Sequence, residues 1–195
     1  MKLFGTVTLY FLSTVFASGQ TNIITYSNFR LEEKKLIWQK VFDRPTYNQD
    51  SLKRLVGVVL KQNIIFKNVI EISDGFEFDV IDWTLDYKRY GGRGTLGYPT
   101  IYRDAKWASK VVIQIKDERY RVTSYDLTYG NMKLNTNYGY GVSGTKDISG
   151  KWDETILTKS RESMKRSMFE NCDLINNAYL DIFDFKEKRS LKSDF

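Results

Sequence analysis

The sequence predicts an α+β fold in which two helices pack on one face of a curved antiparallel sheet. Two amphipathic helical patterns lie near the beginning and near the end of the chain, and strand-like runs lie between them. Short turn signals separate consecutive strand-like runs, which favours antiparallel hairpins over long crossover connections. The resulting order is one strand, one helix, four strands and one helix. Each helix has a single apolar stripe, which can be buried against the sheet.

The first twenty residues have the three-part layout of a secretory signal peptide. Residues 1–2 form a short basic start, residues 3–16 are uncharged and mostly apolar, and residues 17–19 supply the small residues of a cleavage site. The apolar run is shorter than the roughly 20 residues that span a bilayer core. We therefore expect export to the periplasm, the cell surface or the medium. The mature chain would begin at Gln20, or after cleavage at Ala17, and would contain no transmembrane segment.

The composition restricts the chemistry that is open to the protein. The chain has 195 residues, a formal net charge of +6 and no histidine. The absence of histidine excludes serine–histidine and cysteine–histidine nucleophiles and every imidazole metal site. The single cysteine, Cys172, cannot form an internal disulfide, so the fold depends on its hydrophobic core. Cys172 lies in a helical pattern, which predicts a buried and unreactive thiol. We expect neither a metal site nor a cofactor.

The first strand and the first helix are predicted before residue 62. Residues 34–42 are rich in aromatic and β-branched residues, which is typical of a strand, and Pro45 ends that run. Asn48 and Ser51 offer helix starts. The apolar residues that follow have helical spacing on one face, and they are Leu52, Leu55, Val56, Val59 and Leu60. Gly57 weakens this helix, and we expect close packing against the sheet to explain its presence.

Four further strands are predicted as two hairpins. They occupy residues 63–87 and residues 110–127, and both show the two-residue alternation of strands. Ser73-Asp74-Gly75 is a turn signal inside the first hairpin. The second hairpin has one apolar and one polar face. Its turn, Asp117-Glu118, lacks the glycine that tight hairpin turns prefer, so we expect a turn wider than two residues.

Two insertions and one long helix complete the predicted domain. Residues 87–104 and 129–152 are rich in glycine, tyrosine and polar residues, which predicts loops, the second of them with a small ribbon of its own. A long helix is predicted from near Ser160, because six residues follow helical spacing: Met164, Met168, Cys172, Ile175, Tyr179 and Ile182. The predicted organisation is a signal peptide at 1–19, a lead at 20–30, one domain at 31–185 and a charged tail at 186–195.

Two segments carry a resemblance to a known family. Residues 35–42 read K-L-I-W-Q-K-V-F and contain a W-x-x-V-F strand pattern, and residues 113–122 read I-Q-I-K-D-E-R-Y-R-V. They resemble exported Bacteroidota domains of unknown function with a TATA-binding-protein-like (TBP-like) fold, the DUF4468 type. That family shows a V-K-D-G-R-Y-R hairpin, with glycine where this chain has Glu118. The resemblance covers residues 31–185 and implies the β-α-β4-α order, and it brings no catalytic residues.

One predicted strand carries an acidic strip of four carboxylates, Glu77, Asp79, Asp82 and Asp86. Paired carboxylates can hydrolyse glycosidic bonds, and clusters of oxygen ligands can hold Ca²⁺. Glu77 and Asp79 share one strand face while Asp82 and Asp86 share the other, so a four-ligand site needs a bulge. A solvated strand face is the favoured interpretation. A glycan-directed hydrolase that uses paired carboxylates is the alternative function.

Tyrosines and arginines collect in or beside the two insertions. The candidate binding residues are Tyr87, Tyr90, Arg93, Tyr98, Tyr102, Tyr138 and Tyr140. Tyr and Arg are enriched at interaction hot spots, although tyrosine beside glycine is also common in ordinary loops. The sequence therefore predicts a non-enzymatic binding or structural module of the cell envelope, with an envelope protein or a glycan as partner. Export argues against a nucleic acid, and the fold alone does not imply one.

Overall fold

The computed structural model describes residues 25–91, 100–137 and 143–186. The strands are β1 (Thr25–Tyr26), β2 (Phe29–Glu32), β3 (Lys35–Asp43), β4 (Phe66–Ile72), β5 (Gly75–Trp83), β6 (Lys106–Lys116), β7 (Arg119–Asn137) and β8 (Ser143–Lys151). The helices are α1 (Gln49–Gln62), α2 (Thr100–Asp104), α3 (Trp152–Ile156) and α4 (Phe169–Phe183). The predicted α+β class is confirmed, and the predicted order corresponds to β3, α1, β4 to β7 and α4.

The strands form one open antiparallel sheet in the order β1-β2-β3-β7-β6-β5-β4. The 19-residue strand β7 pairs with β6 on one side. On its other side it has two partners, because it pairs with β3 as far as Ser124 and with β8 from Thr128 onward. The sheet begins at Thr25, inside the predicted lead. The segment expected to be a loop with a small ribbon is largely that ribbon, and it extends the main sheet.

Four β-bulges are found in the described sheet. One in β4, one in β5 and two in β7 each place two residues opposite one residue of the partner strand. Three of these bulges contain a residue with positive φ, namely Asn68 at 52°, Asp82 at 54° and Asp126 at 52°. Asn and Asp are the non-glycine residues that enter this left-handed region most readily. Because a bulge bends its strand and increases the local twist, these adjacent bulges account for the curvature of the sheet.

One face of the sheet and both long helices enclose the hydrophobic core. Val111, Ile113 and Ile115 of β6 are all buried, as their alternation predicts. On α1, a Cβ atom at Gly57 would lie 3.1 Å from Cζ of Phe76, so close packing does explain this glycine. On α4, the Tyr179 ring lies edge-on to Trp38 at a centroid distance of 5.1 Å. Both helices therefore pack on the same face, as predicted.

Helix α4 begins at Phe169, so the predicted start near Ser160 is wrong. Leu157 and Met164 form an isolated antiparallel bridge, and the amide of Lys165 donates to the carbonyl of Ile156 at 2.9 Å. Met164 is nevertheless buried. Met164 packs on the core from a hydrogen-bonded loop, and its position happens to match the helical spacing. Spacing alone does not distinguish a buried residue in a loop from a buried residue in a helix.

The turn between β6 and β7 has only two residues, so the expectation of a wider turn is wrong. Lys116 pairs with Arg119, and Glu118 has a φ of 63°. The segment after β3 holds this turn in place. The amide of Arg44 donates to the carbonyl of Glu118 at 2.6 Å, and the amide of Glu118 donates to the carbonyl of Tyr47 at 2.9 Å. These bonds compensate for the missing glycine.

Replacing Glu118 by glycine should stabilise the protein by about 0.5–1 kcal/mol, because only glycine adopts positive φ without steric cost. The free energy of unfolding in urea measures the effect. Asp117→Gly is the contrasting variant, since Asp117 does not have positive φ and its Oδ1 accepts a hydrogen bond from the amide of Gln49 at 2.8 Å. That variant should be destabilised, because it loses this bond and because glycine gains entropy in the unfolded chain. Equal stability of Glu118→Gly and the unchanged protein would contradict this account of the turn.

Cys172 is fully buried on α4, which confirms its predicted environment. Burial, with a smaller contribution from the charge of Asp173, raises the pKa of the Cys172 thiol to about 12. The thiolate is the reactive form of cysteine, so this thiol is inert in the folded protein.

A thiol reagent should therefore label Cys172 far more slowly in the native protein than in urea at the same pH. Cys172→Ala should cost about 1–2 kcal/mol of stability through lost packing. The same reagent and an unfolding curve measure the two effects. Equal labelling rates in the folded and unfolded states would show that the thiol is accessible.

Candidate functional site

The sheet face opposite the helices is the candidate binding surface. The described helices contribute buried residues to the core on the other face. Side chains on the open face are half-buried or exposed, and Val41 near its end is 43% exposed. Strand register aligns this face across β3, β7, β6 and β5, since Gln39 pairs with Thr123, Thr123 with Val112, and Val112 with Glu77.

A glutamine organises the β2 side of this face. Nη1 of Arg30 donates to Oε1 of Gln39 at 2.7 Å, and Nε2 of Gln39 donates to Oγ1 of Thr123 at 2.9 Å. Arg30 also forms an ion pair with Glu32 at 2.8 Å. These polar groups are already matched to one another, so this part of the face offers few free donors to a ligand.

A groove of about 370 Å³ lies at the end of the open face nearest the turn between β6 and β7. Its walls are formed by Val41, Asp74, Gln114, Lys116, Arg119 and Arg121. Strand pairing produces this set, because Arg121 lies opposite both Val41 and Gln114. Three cations face one carboxylate, so the lining has a formal excess of two positive charges.

Arg121 is held in position within this groove. Its Nε donates to Oε1 of Gln114 at 3.1 Å, and Nε2 of Gln114 donates in turn to Oδ2 of Asp74 at 3.2 Å. Among the described residues, Lys116 and Arg119 take part in no ion pair. The groove therefore combines one oriented guanidinium with two unpaired cations, and this arrangement can hold an anion.

The bulge that a four-ligand site would need is present in the acidic strip, but the described carboxylates do not cluster around it. Asp79 accepts a hydrogen bond from Nδ2 of Asn68 at 2.7 Å, and Oδ1 of Asp86 accepts one from the amide of Arg89 at 3.2 Å. Asp82 lies at the bulge of β5. Within residues 25–91, 100–137 and 143–186, no three His, Cys, Asp or Glu side chains come together to hold a metal ion.

Two of the predicted binding tyrosines belong to the core. Tyr87 is 6% exposed and Tyr102 is 1% exposed. The Tyr102 hydroxyl accepts a hydrogen bond from Nε1 of Trp152 at 3.3 Å, and its ring stacks on Trp107 at a centroid distance of 5.9 Å. The expectation that these two rings face a partner is therefore corrected. Helix α2, within a segment expected to be a loop, carries Tyr102 into the core.

Tyr90 is half-buried and anchors the segment after β5 to α4. Its hydroxyl donates to Oδ2 of Asp181 at 3.0 Å, and Nη2 of Arg89 pairs with the same oxygen at 2.6 Å. Burial and the hydrogen bond to Asp181 raise the pKa of Tyr90 to about 12. The other candidates lie outside the described residues and stay predictions; they are Arg93, Tyr98, Tyr138 and Tyr140.

The structure is similar to two solved bacterial proteins. One is a TBP-like protein from Parabacteroides distasonis ATCC 8503, with 14% identity, a TM-score of 0.48, and coverage of 79% of this chain and 94% of that chain. The other is a DUF4468 family protein from Bacteroides ovatus ATCC 8483, with 14% identity, a TM-score of 0.44, and coverage of 78% and 84%. No family model and no curated protein matches the chain.

The groove was not predicted from the sequence. The strand pattern predicted a polar face on the β6–β7 hairpin, and that face supplies Gln114, Lys116, Arg119 and Arg121. The remaining wall residues, Val41 and Asp74, come from other parts of the chain. Cationic residues alternate along two adjacent strands, which places their side chains on one side of the sheet. This pattern was the sequence signal that could have indicated the groove.

Proposed function

We propose that this protein is an exported, non-enzymatic binding module of the cell envelope, and that the open face of its sheet is its binding surface. The observation that carries the proposal is the cationic groove, in which Arg121 is oriented by Gln114. A group that is fixed before its ligand arrives loses less conformational freedom on binding. Export is proposed from the layout of residues 1–19. Among the described helices, none has the length and apolarity to cross a bilayer.

The open face is a better binding surface than the described part of the first insertion. Tyr87 and Tyr102 are core residues, and the Tyr90 hydroxyl is bonded to Asp181. Lys116 and Arg119, by contrast, are exposed and keep their donors available among the described residues. A partner could therefore form hydrogen bonds with the groove without displacing an internal contact.

The glycan-directed hydrolase stays the alternative. It requires two carboxyl groups about 5–9 Å apart on either side of a bound sugar. Asp79 and Asp86 already accept hydrogen bonds from Asn68 and the amide of Arg89, so they serve the local fold. No described contact favours catalysis over binding, and the proposal is therefore a binding module.

Capture from an envelope extract tests the open face. Thr123→Arg places a long charged side chain at the centre of this face, and Val58→Arg places one on the exposed side of α1, where Val58 is 51% exposed. We expect Thr123→Arg to lose the proteins or glycans that the unchanged protein enriches, and Val58→Arg to keep them. Circular dichroism checks that both variants fold. Retention of every partner by Thr123→Arg would contradict the proposal.

Cell fractionation tests the export step separately. Deleting residues 2–19 should leave the protein in the cytoplasm, whereas the full chain should appear in the envelope or the medium. Identical distribution of the two forms would refute export and would leave the fold assignment unaffected.

A further inference from the structure

We infer that the cationic groove binds the carboxylate of an acidic saccharide, such as a uronic acid unit of an anionic glycan. This inference rests on the proposed function and names the ligand class of its binding surface. The groove is defined by Val41, Asp74, Gln114, Lys116, Arg119 and Arg121.

The cations of the groove match a planar carboxylate. An arginine guanidinium presents parallel donors that fit the two oxygens of a carboxylate, and lysine adds a compact charge. Arg121 uses Nε and Nη2 on Gln114 and keeps Nη1 for a ligand. Arg119 and Lys116 lie opposite each other at the ends of β7 and β6, so their charges converge on the same end of the groove.

The other walls suit a sugar ring. The groove volume of about 370 Å³ is at the small end of the range for small-molecule sites, which fits one or two rings. Asp74 supplies a carboxylate that can accept hydrogen bonds from sugar hydroxyls, and the Gln114 amide adds a polar group next to it. Val41 is 43% exposed and offers an apolar contact to the C–H groups of a ring.

Nearby carboxylates disfavour phosphate and anionic lipid. Asp74 lies in the wall of the groove, and Asp43 lies opposite Arg119 across the β3–β7 pairing. Their oxygens accept hydrogen bonds from the hydroxyl groups of a sugar ring, whereas a phosphate dianion has little to donate to them and meets their repulsion. Elsewhere on the same open face, Glu77 and Asp79 lie beside Lys67 and Lys110, so that part offers a flat anionic membrane no excess of positive charge. A single carboxylate on a hydroxyl-rich ring avoids both conflicts.

Titration with digalacturonate tests the inference, with its dimethyl ester as the uncharged control of the same shape. The protein is purified in the form that the cell produces. Binding is followed at low salt by amide NMR shifts and by calorimetry. We expect saturable binding with shifts at the β6–β7 turn end, and at least tenfold weaker binding of the ester, because charge-assisted hydrogen bonds are lost. Equal affinity for the ester would overturn the inference. Tighter binding of inorganic phosphate or of phosphatidylglycerol vesicles would also overturn it.

Four variants assign the binding to the groove. Arg121→Gln should weaken digalacturonate binding about tenfold and Lys116→Gln about threefold, whereas Asp43→Asn should tighten it about twofold. Arg54→Gln on α1 is the matched control for an exposed arginine elsewhere and should change nothing. Thermal unfolding confirms that each variant folds. An unchanged affinity in both Arg121→Gln and Lys116→Gln would refute the groove as the site.

The two proposals can fail independently. If Thr123→Arg loses envelope partners while digalacturonate does not bind, the binding module stands and the acidic saccharide is excluded. If digalacturonate binds the groove and Thr123→Arg keeps every envelope partner, the saccharide site stands and the open face is not the surface that captures those partners.

Discussion

Replacing Gly75 by alanine should cost about 3 kcal/mol or more, because the added methyl group has no space in the sheet. A Cβ atom at Gly75 would overlap the carbonyl oxygen of Ile113 and lie 2.8 Å from its carbonyl carbon. Both atoms belong to the backbone of β6, so no side-chain rotation relieves the contact. The strands β5 and β6 would have to separate where Gly75 pairs with Gln114.

Urea unfolding measures this cost, and Gly130→Ala is the matched control. A Cβ atom at Gly130 would lie 3.5 Å from Cβ of Ser149, which is an ordinary contact. The control should be neutral or slightly stabilised, because alanine restricts the unfolded chain. If Gly75→Ala were as stable as Gly130→Ala, the close approach of β5 and β6 would be wrong.

Arg44→Met should also destabilise the protein strongly, by about 2–3 kcal/mol, because Arg44 holds the chain that leaves α4. Its Nε and Nη2 donate to the carbonyl of Phe185 at 3.1 and 3.0 Å, and Nη2 also pairs with Asp184. Beside it, the Tyr120 hydroxyl donates to the carbonyl of Phe183 at 2.7 Å and accepts from the amide of Phe185 at 2.9 Å. The substitution removes the side-chain donors from the carbonyl of Phe185 and leaves Asp184 with Lys186 as its described cationic partner.

The exposed ion pair of Arg89 with Asp181 gives the control for Arg44. The side chains of Arg89 and Asp181 are 64% and 46% exposed, whereas those of Arg44 and Asp184 are 18% and 29% exposed. Arg89→Met should therefore cost at most about 1 kcal/mol, since solvent screens exposed pairs. Both values come from urea unfolding. Equal costs for the two variants would show that Arg44 makes no special contribution.

The contribution of Asp184 also has a defined pH dependence. Burial raises the pKa of Asp184, but hydrogen bonds from Lys186 and Arg44 outweigh burial and lower it below its ordinary value. A carboxyl group with a lowered pKa contributes stability above its ordinary pKa and loses it as the pH falls through the folded value. The stability difference between Arg44→Met and the unchanged protein should therefore shrink in strong acid.

Those parts of the fold that depend on a regular period of apolar residues could be predicted from the sequence. Val111, Ile113 and Ile115 alternate along β6 and are buried as expected. Gly57 was expected to mark close packing, and it contacts Phe76. In these cases a local pattern is sufficient, because one face of a strand or helix is buried and the other is solvated.

The features that were missed depend on contacts between distant segments. Tyr102 was expected in an exposed loop, yet it packs on Trp107 and Trp152 through a five-residue helix that directly follows a glycine-rich stretch of sequence. The turn at Glu118 is stable without glycine because Arg44 and Tyr47 bond to it. Neither contact produces a periodic pattern of residues in the sequence.

The candidate site illustrates the same limit. The alternating cations of β6 and β7 indicate a polar face, but nothing local shows that β3 brings Val41 beside Arg121. The long strand β7 makes this pairing with a segment far away in sequence. A groove assembled from three parts of the chain becomes visible only when the strand order is known.

The bulge at Asn68 has a consequence for self-association. β4 is the last strand on its side of the described sheet, and Ile70 next to the bulge is 60% exposed. A regular edge strand with exposed apolar residues can pair with the edge of another molecule and begin aggregation. The bulge interrupts the row of backbone donors and acceptors along β4, so a second chain cannot pair with it in continuous register. The same residue that bends the sheet thus makes the β4 edge a poor template for edge-to-edge aggregation at high concentration.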